Sequence, residues 1–274
     1  MAWRSAAHAG WDPTTKMNHS ALLRLTALLL LTAPWTASCS SVGATGQVGY
    51  TIMEIGGDLA LDSGGGPAAS VEQSVDTAFG LGDAQGSPYF RGQLDASGPV
   101  FTGSIFWLED SGSGQLDGAF GGLPSGTAVD GDLELGVAKI SAAYDIDLWL
   151  VKVAPGIMCD VFALDFTARE LTLGSTEAID EVVYVPMPFV RAEAGFGPVT
   201  AVGELGYLEV SDIGDAGGRF LDFEALVEVN IAPLAHLFAG YRLIDMDGDG
   251  NTGDDVYGVD LQLRGWTIGG GLRF

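Results

Sequence analysis

Apolar and polar residues exchange at nearly every step from Gln47 to Phe274, the period of a strand and not of a helix. Arg219, Leu221, Phe223, Ala225, Val227, Val229 and Ile231 share one face of a stretch whose other face carries Asp222, Glu224, Glu228 and Asn230. Trp149, Val151, Val153, Ile157, Cys159 and Val161 alternate with Lys152, Gly156 and Asp160, and Phe90, Gly92 and Leu94 with Tyr89, Arg91, Gln93 and Asp95. The pattern predicts ten strands, over 47–61, 87–95, 99–109, 130–144, 148–164, 182–194, 199–210, 219–231, 234–245 and 256–274. Two segments fit less well: Lys139 shares the face of Leu133, Leu135 and Val137 unless a bulge intervenes, and Pro186 and Pro188 interrupt the sixth. In the last, Tyr257, Val259, Leu261 and Leu263 form an apolar face against Asp260, Gln262 and Arg264. The phase then slips at Gly265, and Trp266, Ile268, Gly270, Leu272 and Phe274 continue it. A glycine bulge could absorb that slip.

The connections alternate in size. Ala96-Ser97-Gly98, Asp145-Ile146-Asp147, Gly195 to Pro198 and Ala232-Pro233 are tight, whereas 62–86, 110–129, 165–181, 211–218 and 246–255 are longer and rich in Gly, Ser and Asp. Short turns at one rim and long loops at the other mark an up-and-down barrel that crosses a membrane. Composition points the same way. Mean hydropathy is +0.27 although the formal charge of the 274 residues is −24, so greasy and acidic surfaces must be segregated. No apolar run reaches the roughly 20 residues of a spanning helix, and a closed barrel is the other structure that satisfies its backbone in lipid. The expected fold class is therefore all-β, a closed antiparallel up-and-down transmembrane β-barrel of about ten strands, with eight or twelve still open.

The first 39 residues differ from the rest. Lys16, His19 and Arg24 precede the apolar Leu25 to Trp35, and small residues follow, the order of a secretory signal. Met17 could be its true start, and the sequence ending at Cys39 reads as a weak lipoprotein box with a candidate lipidation site. Residues 40–46 form a small-residue tether, and 47–274 the barrel. Removing 1–39 takes away Arg4, Lys16, Arg24 and Asp12 and leaves nine basic against 35 acidic side chains. That balance repels nucleic acid phosphates. Only Cys159 remains in the body, so one chain has no internal disulfide framework.

The chain ends Thr267, Gly269, Leu272, Phe274 in the spacing polar, Gly, apolar, terminal aromatic. This resembles the C-terminal assembly signal of bacterial outer-membrane β-barrels, and the general plan resembles small barrels of the OmpA, OmpX and OmpW type. The resemblance implies outer-membrane location, lipid contact and handling by the barrel-assembly machinery.

A cation facing mid-membrane lipid costs roughly 2–4 kcal/mol, so the basic residues within strands, Arg91, Lys139, Lys152, Arg191, Arg242 and Arg264, should point into the lumen. The expected lumen network is Arg91, Lys152, Asp160, Arg191, Glu193, Glu204, Glu224, Glu228, Arg242, Asp260 and Arg264, with an acidic excess. Asp245, Asp247, Asp249 and Asn251 place oxygens at alternate positions with Gly250 sixth, resembling the first half of an EF-hand-type calcium loop. Val256 stands where that loop has a bidentate Glu, and a solvated acidic hairpin is the competing reading. Apart from this Ca2+, no cofactor is expected; divalent cations could also meet the outer loops. The mature part has one histidine, His236, assigned to a tight turn at the short-turn rim, so no catalytic residues are expected. The leading function is a non-enzymatic surface or structural barrel with acidic loops. The alternatives are a narrow cation-preferring pore and, third, an outer-membrane hydrolase.

Overall fold

A computed structural model describes residues 42–63, 71–213, 216–252 and 255–274; the signal expected over 1–39, with Cys39, lies outside them. Ten long strands make the wall: β1 (Val42–Ser63), β3 (Gln85–Ala96), β4 (Pro99–Gln115), β5 (Ala128–Tyr144), β7 (Val151–Glu170), β8 (Thr176–Phe196), β9 (Val199–Ile213), β10 (Ala216–Ala232), β11 (Ala235–Thr252) and β12 (Asp255–Arg273). Each is antiparallel to the next, and β12 pairs back on β1, so the ring is closed. Two short strands, β2 (Gln73–Ser74) on β1 and β6 (Ile146–Leu148) on β7, and one short helix, α1 (Val75–Phe79), complete it. No helix among the described residues is long and apolar enough to cross a membrane. A row of directly opposed residues entering the ring at Gly43 returns to the same strand at Ile55, a stagger of twelve residues. Ten strands so staggered tilt by about 40° and enclose a space that side chains can fill.

The outer face carries an apolar belt with a sharp upper edge. On β4, Phe101, Ile105 and Trp107 give way to Glu109; on β7, Ile157 and Val161 to Asp165; on β10, Val229, Val227 and Phe223 to Arg219; on β11, Leu237 and Tyr241 to Asp245; on β12, Ile268 and Trp266 to Arg264. Above that edge the strands continue with a polar exterior. The interior changes in the opposite sense. Behind the belt it is charged, and beyond the edge it is an apolar core holding Leu133, Leu135, Phe162, Phe166, Leu261 and Leu263.

This reversal corrects three readings. The β1–β12 register runs unbroken from Thr45↔Arg273 to Ser63↔Asp255, so no slip occurs at Gly265. Tyr257, Val259, Leu261 and Leu263 face inward, and Gln262 and Arg264 continue the outward face of Trp266 and Ile268. Likewise Leu133, Leu135 and Val137 share the inner face with Lys139 without a bulge. In both stretches the alternation holds, and only the medium outside changes, from hydrocarbon to water. Most of the loops expected over 165–181, 211–218 and 246–255 are strand for the same reason, because the wall extends past the belt. The expected tether also joins it, since β1 starts at Val42.

The apolar upper interior is stoppered by α1. Phe79 packs edge-on against Phe120 and Phe166, with ring centroids 5.2 and 4.7 Å apart. The helix and its left-handed cap Gly80 lie against the inner face of β4, where a Cβ on Gly112 would strike the Gly80 carbonyl and one on Gly114 the Ala78 carbonyl. Glycine at these positions allows the stopper to seat.

Candidate functional site

The distinctive chemistry lies at the level of the belt, inside the wall. Strand alternation and register deliver Arg91 from β3, Lys139 from β5, Asp160 from β7, Arg191 from β8, Glu204 from β9, Asp222 and Glu224 from β10 and Arg242 from β11 to one buried layer. Arg91 bridges Glu204 and, at 2.6 Å, Glu224. Lys139 Nζ donates to Glu204 at 2.8 Å and Glu224 at 2.7 Å, and lies 3.6 Å from Asp222. Arg242 grips Asp222 with two donors, Nε at 3.1 Å and Nη2 at 2.8 Å, over the face of Phe106. The Tyr89 hydroxyl donates to Glu224 at 2.7 Å. Arg191 donates to Glu193 at 2.7 Å and Gln93 at 3.1 Å, and its Nε is 3.6 Å from Glu204. Four cations, Arg91, Lys139, Arg191 and Arg242, thus meet five carboxylates, Glu193 at the edge of the layer included. Isolated ions there would be very costly, and only mutual pairing makes the burial tolerable. Asp160 is the exception: fully buried, it has no hydrogen bond to either carboxylate oxygen, and Arg242 is 4.0 Å away.

Nearer the short-turn end lies a second buried cluster. Gln47 Nε2 donates to Glu228 at 2.6 Å and lies 2.9 Å from His236 Nε2, while Arg273 reaches the other Glu228 oxygen at 2.9 Å. His236 is in β11, facing inward and buried, not in a turn. Of the C-terminal signal residues, Thr267 points inward and bonds Thr51 at 2.9 Å, whereas Leu272 and Phe274 are exposed at the rim.

Three expected lumen residues lie elsewhere. Lys152 is at the short-turn rim, half exposed, 4.0 Å from Asp145. Arg264 is outside, 57% exposed, 3.4 Å from an equally exposed Glu54. Asp260 is also on the outer face. Both lie above the belt, where a charge meets water and the penalty that would drive it inward vanishes. Lys139, which the lipid penalty already placed in the lumen, and Asp222, absent from the expected network, are central to it. Asp222 was legible from its polar face on β10, and Lys139 from its place within a strand, although its apolar face-mates pointed the other way.

The acidic stretch of β11 is strand where a calcium-type loop was expected. β11 runs to Thr252 and stays in register with β12 through Thr252↔Asp255, and Asp245 and Asp247 are successive same-side positions of that extended strand. Residues two apart along a strand stand nearly 7 Å apart, so they cannot converge as a calcium loop does. Asp245 instead accepts from Arg219 at 3.5 Å. Among the described residues no group of three or more His, Cys, Asp or Glu is set to hold a metal ion.

The acidic excess is displayed outside, just above the belt. Glu109, Glu134, Asp165 and Asp180 are directly opposed on β4, β5, β7 and β8, forming one rung of like charge. Partial burial and the neighbouring Asp180 and Glu134 push the Asp165 carboxyl above its ordinary range. Burial, then Asp247, Asp245 and Asp58, do the same to Asp260.

No family model and no curated protein sequence matches the chain. Solved structures do. The outer membrane protease OmpT from Escherichia coli matches with a TM-score of 0.52 and 7% identity, over 85% of this chain and 96% of that one. Ail, the attachment invasion locus protein of Yersinia pestis, gives 0.35 and 11%, over 85% and 98%. Neisserial surface protein A gives 0.34 and 14%, over 84% and 97%. At such identities the match to OmpT is one of fold, and that fold is the outer-membrane β-barrel.

Proposed function

We propose that the chain is a non-enzymatic barrel of the bacterial outer membrane, closed to solutes, that raises an acidic rigid-walled platform above the outer leaflet. The observation that carries this is the buried, mutually paired ion layer. Arg91, Lys139 and Arg242 join carboxylates from β9 and β10 across the lumen and leave those side chains at most 3% exposed. A water-filled pore would keep such groups solvated, and a stagger this small leaves them little room to part. The platform follows from the polarity reversal at Trp107/Glu109 and its counterparts, which lets the wall continue into water on an apolar core. The directly opposed carboxylates on its outside favour cationic partners over polyanions.

The test is to refold the purified protein in detergent, verify folding by heat-modifiable gel mobility, and record from planar bilayers. A folded, heat-modifiable band with no conductance steps is expected. Steady cation-selective steps would replace this reading with that of a narrow pore.

A further inference from the structure

The ladder of the closed ring stops short at two places: β3 pairs β4 only from Phe90↔Ile105 to Asp95↔Val100, and a second gap lies between β8 and β9. β8 pairs β7 along its length, but pairs β9 only from Phe189↔Gly206 to Phe196↔Val199. Above that, Val182 to Pro188 of β8 and Tyr207 to Ile213 of β9 form no ladder pairs with one another, and this part of β9 pairs only with β10. The split therefore begins at the top of the apolar belt, where Pro188, Leu205 and Tyr207 face outward. Pro186 and Pro188 stand at its lower end and cannot donate to a ladder.

What lies behind the split is apolar. Phe162 on β7 and Phe220 on β10 meet across the two parted strands, with ring centroids 5.3 Å apart, and form a rear wall. Met158 and Met187 cover the inner face of Gly206 and form the floor, so close that a Cβ there would lie 2.5 Å from the Met158 methyl. Val183, in register with the buried Phe162, should be enclosed, yet it is 38% exposed. On the opposite side Leu208 is only partly buried.

We propose that this slot takes an acyl chain of a surrounding membrane lipid, entering sideways between β8 and β9. The inference rests on the membrane-barrel reading above. An added peptide strand would find two proline positions without donors, whereas an acyl chain makes no hydrogen-bond demand. The slot is also continuous with the lipid-facing belt, so the molecule next to its mouth is lipid. Flexible methionine side chains suit a floor that accommodates a chain of variable position.

The experiment uses the full barrel in phosphatidylcholine vesicles doped with a phospholipid carrying a photoactivatable diazirine within its acyl chain. After irradiation, adducts are mapped by peptide mass spectrometry. Adducts on inward residues, Met158, Met187 or Phe220, are expected beside those on the outward belt, and Leu208→Trp, which fills the slot, should abolish the inward set while leaving adducts around Ile268. Adducts confined to outward residues in the wild-type protein, or inward adducts undiminished in Leu208→Trp, would overturn the slot. Heat-modifiable mobility of the same samples separates that outcome from failure of the barrel reading, in which no folded species appears.

Discussion

Arg242 and Arg264 lie on neighbouring strands, almost opposite one another, yet they occupy different solvents. Arg242 pairs with Gly265 and Leu243 with Arg264, so the two arginines take opposite parity in the ladder. Arg242→Ala would strand Asp222 in a buried layer and should cost about 3–5 kcal/mol. Arg264→Ala removes half of an exposed pair and should cost under about 1 kcal/mol. Denaturant unfolding of the refolded protein checks both, and equal costs would refute the inside–outside assignment. Asp165 tests the outer rung. Its carboxyl is raised above its unfolded value, so the folded form holds its proton to higher pH. Its contribution therefore favours folding most at acid pH and is lost as pH rises through the raised value. Asp165→Asn is expected to raise stability at neutral pH and to flatten the pH dependence of thermal unfolding just above the ordinary carboxylate range. A variant with the wild-type slope would show that the rung carries no strain.

At the scale of elements, strand existence was more legible than strand facing. Each of the ten predicted segments falls on one wall strand, although 148–164 starts three residues before β7 and 234–245 and 256–274 overrun β11 and β12 by one residue each, because a two-residue period with Gly and Asp punctuation is a local signal. The strand ends were less legible, since above the belt the wall keeps alternating while its exterior takes on the composition of a loop. Helix α1 left no usable trace: its five residues are too few for a period, and its place is set by Gly112 and Gly114 on a distant strand. Gly114→Val should therefore unseat the stopper while sparing the ladder. Hydrogen exchange is expected to show lost protection across 75–84 with β7–β12 unchanged, at a cost of about 1–3 kcal/mol in overall stability. Unaltered protection at α1 would mean that the helix is held by something other than that glycine surface.

The whole molecule is two barrels in continuous register, one fitted to hydrocarbon and one to water. Their boundary can be located by charge insertion along a single face of β5. Ile140 lies on the belt and Glu134 above its edge, with the same parity. Ile140→Lys should cost roughly 2–4 kcal/mol in a lipid bilayer, whereas Glu134→Lys should be near neutral or mildly stabilising, since it breaks a row of like charges. Reversible unfolding in vesicles measures both, and a large cost at residue 134 would move the membrane edge upward.

From residues alone came the strand period, a count of about ten strands with eight or twelve left open, the rim asymmetry and the need for charges inside the belt, because each depends on neighbours along the chain and on the backbone's demands in lipid. Alternation tells which side chains share a face, but not which face is enclosed. That depends on ring closure, on stagger and on whether a given level meets lipid or water. Only the assembled wall therefore decided that Asp222 joins the ion layer, that Arg264 and Asp260 stand in solvent, and that β8 and β9 part above Phe189.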